Sequence, residues 1–195
     1  MEAGQPIINA EAEVIVQTYV RPEIVFTHGA GATLFDDQGR RYLDFTAGIA
    51  VTALGHSDAE WVAAVRKQAG RLTHVSNLYH TTPQVELAQR LTALSFADRV
   101  LYANSGSEAN EAALKLARKV AYDTTGPESG KTEILAFHNG FHGRTMGALA
   151  TTYKSQYREP FAPLVPGVHF APFNDLDAAE ALVNAQTCAV IVEPV

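Results

Sequence analysis

The run Leu101-Tyr-Ala-Asn-Ser-Gly-Ser-Glu-Ala-Asn-Glu-Ala-Ala-Leu-Lys-Leu-Ala-Arg118 decides how the chain is read. A short apolar lead, Val100 to Ala103, is expected as a strand. It passes through Ser105, Gly106 and Ser107 into a stretch whose apolar residues Ala109, Ala112, Ala113, Leu116, Ala117 and Val120 recur with helical period, so Ser107 to Tyr122 is expected as a helix. Four of those six are alanine, which would let the helix lie close on a sheet. Ser105-x-x-Glu108 is a capping box. The same first turn offers free N–H groups and the positive end of the helix dipole, which together make an anion site, and glycine lets a ligand approach the backbone. Taken alone, the run is read as a well-capped structural helix ahead of an anion site.

Outward from this run, strand and helix alternate. Strands are expected over Ile134 to Phe137, Val168 to Ala171 and Ala189 to Val192, with helices over Thr145 to Thr151 and Leu176 to Asn184. That rhythm specifies an α/β layer with a largely parallel sheet. Upstream, Asp36-Asp-Gln-Gly39 between two apolar runs reads as a hairpin turn. Ser57-Asp-Ala-Glu60 matches a capping box before Trp61, Val62, Val65, Ala69 and Leu72 at helical spacing. Thr82-Pro83 opens a further helix with Leu87, Ala88, Leu91 and Leu94 on one face. The segment from Arg158 to Gly167, with Pro160, Pro163 and Pro166, reads as a surface crossing.

A second informative run, Phe137-His-Asn-Gly-Phe-His-Gly-Arg-Thr145, is a glycine-flanked loop after a strand, and open α/β sheets bind ligands at strand carboxyl ends. Phe141 is suited to stack on a planar heterocycle and Arg144 to grip a carboxylate through two parallel hydrogen bonds. Taken singly, a core phenylalanine and a surface ion pair account for them better. His138-x3-His142 binds zinc only when both histidines share a helix face. Asn139-Gly140 and Gly143 place them in a loop, so no metal is expected. Gly126-Pro-Glu-Ser-Gly-Lys-Thr132 imitates a phosphate-binding P-loop, but Thr125 stands where a glycine is required and the expected flanks are reversed, helix before and strand after.

Composition sets the outer bounds. The chain has 195 residues, 47% of them hydrophobic and 18% charged, as compact folded proteins do. Its net charge of −6 lacks the basic surplus that nucleic-acid binding needs, which leaves small molecules or other proteins as partners. Cys188 is the single cysteine, so neither an internal disulfide nor a thiolate zinc cage is open to this sequence. The first residues carry acidic groups and no basic region before an apolar run, and no stretch approaches the ~18 apolar residues of a membrane helix. A cytoplasmic protein without membrane contact is expected. The sequence ends inside what reads as a buried strand, Cys188-Ala-Val-Ile-Val-Glu-Pro-Val195.

Together the two runs carry a resemblance. Asn104-Ser-Gly-Ser-Glu-Ala-Asn-Glu-Ala112 followed by Phe141-His-Gly-Arg-Thr-Met-Gly-Ala-Leu149 resembles the class III aminotransferases, in particular the acetylornithine and succinylornithine branch. Further blocks resemble that family in order: Phe35-Asp-Asp-Gln-Gly-Arg-Arg-Tyr-Leu-Asp-Phe45, Ala47-Gly-Ile-Ala-Val-Thr-Ala-Leu-Gly-His56, His74-Val-Ser-Asn-Leu-Tyr79, Phe161-Ala-Pro-Leu-Val-Pro-Gly167 and Val192-Glu-Pro194.

The resemblance implies a fold type I transferase, like aspartate aminotransferase, that depends on pyridoxal 5'-phosphate (PLP) and has an incomplete large domain. Residues 1–56 would be the N-terminal segment and hairpin of a small domain, and 57–195 the first part of the PLP-binding domain. It implies transfer of an amino group from N-acetylornithine or a similar ω-amine, by way of the cofactor, to 2-oxoglutarate, in a homodimer. The implied cofactor-binding set is Ser105, Gly106, Ser107, Phe141, His142 and Glu193. Gly106 and Ser107 would offer N–H groups to the phosphate, and Phe141 would stack on the pyridine ring. Arg144 is the implied anchor for the donor carboxylate, with Tyr19 beside it. The family usually has threonine where Ser107 stands, and a histidine and a proline after Gly55-His56, where this chain has Ser57-Asp58.

The family's Schiff-base lysine and the aspartate that pairs with the pyridine nitrogen lie beyond Val-Glu-Pro. None of Lys67, Lys115, Lys119, Lys131 and Lys154 stands in a context that would desolvate it as a replacement. The chain is therefore expected to be an N-terminal part of a transaminase, inactive alone and exposing apolar surface. The alternatives are another class III PLP enzyme, such as a 4-aminobutyrate-type transaminase or an aminomutase, and a short non-catalytic binding or dimerisation module.

Overall fold

A computed structural model describes residues 4–194. Met1 to Ala3, where the reading of the N-terminus begins, and Val195 lie outside the described residues. The chain divides into two compact units after Thr81.

The first unit holds α1 (Gln5–Val14) and an antiparallel meander of β1 (Phe26–Ala30), β2 (Thr33–Asp36) and β3 (Arg41–Leu43). The expected hairpin is β2–β3, with Leu34 opposite Tyr42. Sequence reading missed β1, whose Gly29 lies opposite Leu34. The turn is organised by the buried Asp36 carboxylate, which accepts hydrogen bonds from Gln38 N (3.0 Å), Arg40 N (2.8 Å), Arg40 Nε (2.6 Å) and the Tyr42 hydroxyl (2.9 Å). Burial alone would raise its pKa, but the bonds from Arg40, Tyr42 and Gln38 outweigh it and hold the pKa at about 2.

A single helical turn, α2 (Ala47–Ala50), runs with φ positive at all four residues, a conformation in which only Gly48 is at ease. In α3 (Ala59–Ala69) the cap is one residue later than expected: Asp58, not Ser57, accepts from Trp61 N. The reason is local. Ser57 sits at φ 57°, which turns its hydroxyl onto the Gly29 carbonyl at 2.9 Å and leaves Asp58 to meet the first turn.

The second unit opens with α4 (Thr82–Ala93), as Thr82-Pro83 predicts, although none of its residues is buried. The expected strand at Val100 to Ala103 does not form. The segment has no regular secondary structure, and no described strand pairs with it to complete a ladder. Next comes α5 (Gly106–Thr125). A parallel sheet of β4 (Glu133–Phe137), β5 (Val168–Ala171) and β6 (Thr187–Val190) follows, in the order β5-β4-β6. The crossovers carry α6 (Met146–Thr151), the one-turn α7 (Ser155–Arg158) and α8 (Leu176–Leu182).

β4 is the central strand, and its Ile134, Leu135 and Ala136 are buried together with Ala148, Leu149, Ala150 and Ala171. Packed against β6 and α6, α5 is buried at Leu114 and Ala121, with Ser107, Glu111 and Arg118 half-buried on the same stripe. This corrects the expected face, since Leu116 and Val120 remain 52% and 59% exposed. Arg118 explains the turn of the helix. Its Nε donates to the Thr132 carbonyl at 3.1 Å and a terminal nitrogen to the Pro166 carbonyl at 2.8 Å, drawing that side of α5 onto the loops that enter β4 and β5.

Candidate functional site

Two segments meet at the carboxyl end of β4. The first is the start of α5, where the expected capping box is closed in both directions. Ser105 Oγ accepts from Glu108 N at 3.2 Å, and the Glu108 carboxylate accepts the Ser105 hydroxyl at 3.1 Å and the Asn104 amide at 3.2 Å. The amide and hydroxyl donors outweigh the small effect of burial and hold the Glu108 carboxyl below its ordinary pKa. Because the box occupies the Glu108 N–H, the N–H groups of Gly106 and Ser107 carry the exposed positive end of α5. A Cβ placed at Gly106 would meet nothing within 4 Å, so this end of the helix is open to a ligand.

The second segment is the loop from His138 to Thr145. It is laid directly on the first turns of α5. Gly143, at φ 127°, approaches so closely that a Cβ there would overlap the Ser107 hydroxyl and stand 2.8 Å from Ser107 Cβ. Arg144 N donates to Ser107 Oγ at 3.3 Å, and Asn110 Nδ2 donates to the His142 carbonyl at 2.6 Å. One turn further along the helix, the Glu111 carboxylate accepts from Gly147 N (2.7 Å), Ala148 N (3.2 Å) and the Thr145 hydroxyl. Burial works to raise the Glu111 pKa, but these donors, helped by Lys115, prevail and hold it low.

The other flank of the loop is tied by Thr152. Its hydroxyl accepts from His142 N at 2.9 Å and lies within hydrogen-bonding distance of the Gly143 and Ala148 carbonyls, at 3.2 Å and 3.1 Å. From the end of β6, a Glu193 carboxylate oxygen accepts from Phe141 N at 2.9 Å.

The structure thus brings together Ser105, Gly106, Ser107, Phe141, His142, Arg144 and Glu193. The Phe141 ring is 47% exposed, open for stacking, and the Arg144 guanidinium lies 5.0 Å from the centre of the Tyr157 ring. His142 differs from its neighbours: its side chain is 6% exposed and Nε2 is buried without a hydrogen-bond partner. Burial lowers its pKa, against the pull of the Glu193 charge. Tyr19 belongs to the first unit, where its ring has the Arg21 guanidinium 5.9 Å from its centre. His138 stacks on Tyr153 at 4.3 Å.

Asn110, Glu111 and Thr152, which organise the loop together with the Thr145 hydroxyl, were missed in the sequence. The signal was a polar pair, Asn110-Glu111, one helical turn after Ser107, interrupting an alanine-rich run. None of the five lysines is buried. Lys119 pairs with Asp123, and Lys154 lies over the Tyr157 ring at 5.2 Å.

Residues 15–195 match the family described as aminotransferase class III. The chain is 51% identical over 194 residues to the mitochondrial acetylornithine aminotransferase of Alnus glutinosa, covering 98% of this chain and 43% of that protein. It is 46% identical to the succinylornithine transaminase of Yersinia pseudotuberculosis, covering all of this chain and 48% of that protein. Among solved structures, ornithine aminotransferase from Toxoplasma gondii superposes with a TM-score of 0.92 at 30% identity, over 100% of this chain and 46% of that one. A second structure of it, with a TM-score of 0.89 at 31% identity over 97% of this chain and 44% of that one, has PLP at partial occupancy in its active site. The chain spans less than half the length of the curated relatives it matches. The match over residues 15–195, together with these relatives, makes the chain a member of the class III aminotransferase family, and its parallel sheet is the fold type I arrangement of its solved neighbours.

Proposed function

We propose that the chain is the N-terminal part of a PLP-dependent aminotransferase that moves an amino group from N-acetylornithine, or a similar ω-amino donor, to 2-oxoglutarate. The observation that carries this reading is the seating of the Phe141–Arg144 loop on Ser107, which brings the main chain bearing Phe141 and Arg144 onto the first turn of an open helix N-terminus. These residues fit the cofactor in part. The phosphate has N–H donors at Gly106 and Ser107, capped in register by Ser105, and the ring has the face of Phe141. His142 contributes through its main chain, and Glu193 through its bond to Phe141 N.

When bound, PLP supplies the electron sink that lets an amino group leave one carbon skeleton and be passed to another. The chain's own residues bind and orient. Ser107 fixes the loop, Phe141 covers the ring, and Arg144 takes the donor carboxylate. Because no lysine here is buried, the residue that would hold the cofactor covalently is not among the five present, and the chain alone is inactive.

In this reading, residues 1–56 are the N-terminal segment and hairpin of the small domain and 57–195 the first part of the large one. The whole enzyme is a cytoplasmic homodimer. No helix among the described residues is long and apolar enough to cross a membrane. The reading is tested by titrating the chain with PLP and following the intrinsic fluorescence. Saturable binding that inorganic phosphate displaces, and that Ser107→Pro abolishes, supports it. Binding indifferent to phosphate counts against it. A donor screen on a longer protein containing this chain separates acetylornithine from 4-aminobutyrate-type donors.

A further inference from the structure

Resting on that reading, we propose that Glu111 is the positioning residue of the site: its carboxylate is the latch that fixes the Phe141–Arg144 loop relative to the phosphate end of α5. Three donors from the end of the loop and the first turn of α6 converge on this one side chain, namely Gly147 N at 2.7 Å, Ala148 N at 3.2 Å and the Thr145 hydroxyl. Thr145 is the N-cap position of α6 but makes no side-chain cap to its own helix, so the cap is supplied from α5. A carboxylate at a helix N-terminus also faces the positive end of the α6 dipole.

The fit is steric as well as electrostatic. A Cβ at Gly147 would stand 2.9 Å from the Glu111 carboxyl carbon, so a larger residue there would have to displace the carboxylate from the N-terminus of α6. Nearer the ligand, Ser107 holds Arg144 N and Asn110 holds the His142 carbonyl. The loop is therefore held along one helix face at Ser107, Asn110 and Glu111, spaced i, i+3 and i+4, of which Glu111 is charged, half-buried and saturated with donors. Glu111 touches neither the proposed phosphate position nor the exposed Phe141 ring. It acts by keeping Arg144 and Phe141 from drifting away from Gly106 and Ser107.

The test compares Glu111→Ala and Glu111→Gln with the parent chain by amide hydrogen exchange and by PLP titration. Gln keeps an oxygen for the two N–H groups and an amide that can donate to the Thr145 hydroxyl. The expected result for Glu111→Ala is at least tenfold faster exchange at Gly147 and Ala148, with Ile134, Leu135 and Ala136 of β4 unchanged, and roughly tenfold weaker PLP binding. Glu111→Gln should restore most of both. A merely structural glutamate would loosen β4 in step with α6, and that outcome overturns the proposal. So does unchanged protection at Gly147 and Ala148, or a Gln variant no better than Ala. If the parent chain does not bind PLP, the proposed function fails on its own, and the exchange pattern alone decides the role of Glu111.

Discussion

The main-chain N–H of Phe141 donates to the Glu193 carboxylate over 2.9 Å, so the segment leaving β6 holds the loop leaving β4. Two strand ends that are neighbours in the sheet are thereby joined above it. The bond is charge-assisted but solvent-exposed, which limits its worth to roughly 1 kcal/mol. Glu193→Ala is expected to weaken PLP binding about fivefold, with Glu193→Gln close to the parent, measured by fluorescence titration.

Gly143 is the position least able to take a side chain. Its φ of 127° is unfavourable for any L-residue, and a Cβ would stand 2.8 Å from that of Ser107. Gly143→Ala should lower unfolding stability by ~1–3 kcal/mol in urea titrations, with a larger relative loss of PLP affinity. Unchanged values of both would refute the contact.

Ser105 separates capping from ligand binding. Ser105→Ala removes the acceptor for Glu108 N and should cost ~1 kcal/mol of stability. Ser105→Asp keeps an acceptor, so it should recover the stability while repelling phosphate at the adjacent N–H groups. Thermal melts with and without inorganic phosphate distinguish the two effects.

Asp36 gives the first unit an acid limb. Its pKa is about 2 in the fold against 3.8 ordinarily, so the folded state binds fewer protons between those values. Its contribution is present above pH 3.8 and is lost as the pH falls through about 2. Stability measured from pH 6 down to pH 2 should show this decline, and Asp36→Asn should flatten it at the cost of lower stability at neutral pH.

Leu135 is 2% exposed in the central strand. Leu135→Ala should cost ~2–5 kcal/mol, whereas Leu116→Ala, at 52% exposure, should cost far less. Paired denaturation curves check that the Leu116 face of α5 is not packed as the central strand is.

What the sequence made legible was local. The capping box at Ser105 and Glu108, the strands at Ile134 and Val168 and the loop around Phe141 are each set by a few neighbouring residues, and each forms where expected. What escaped it depends on partners. Val100 to Ala103 has strand composition, yet a strand needs a neighbour to pair with. Periodicity offered the Leu116 stripe of α5, whereas the Arg118 bonds to two distant carbonyls turn the Leu114 stripe inward, and no local pattern records such bonds. Glu111 reads as a solvated helix charge until α6 is folded onto it. The first strand of the meander was passed over because His28 and Gly29 interrupt its apolar alternation.

The close approach of Gly143 to Ser107 has an evolutionary corollary. Residue 107 is at once the hydroxyl acceptor for Arg144 N and the floor under Gly143, so its tolerated replacements are those that keep an oxygen in place and add volume only on the far side. Threonine meets that condition. Larger or apolar residues do not, and a change at 107 without a matching shift in the loop should be neutral for the helix and costly for the site. Helix and loop are thus expected to tolerate substitution together more readily than singly.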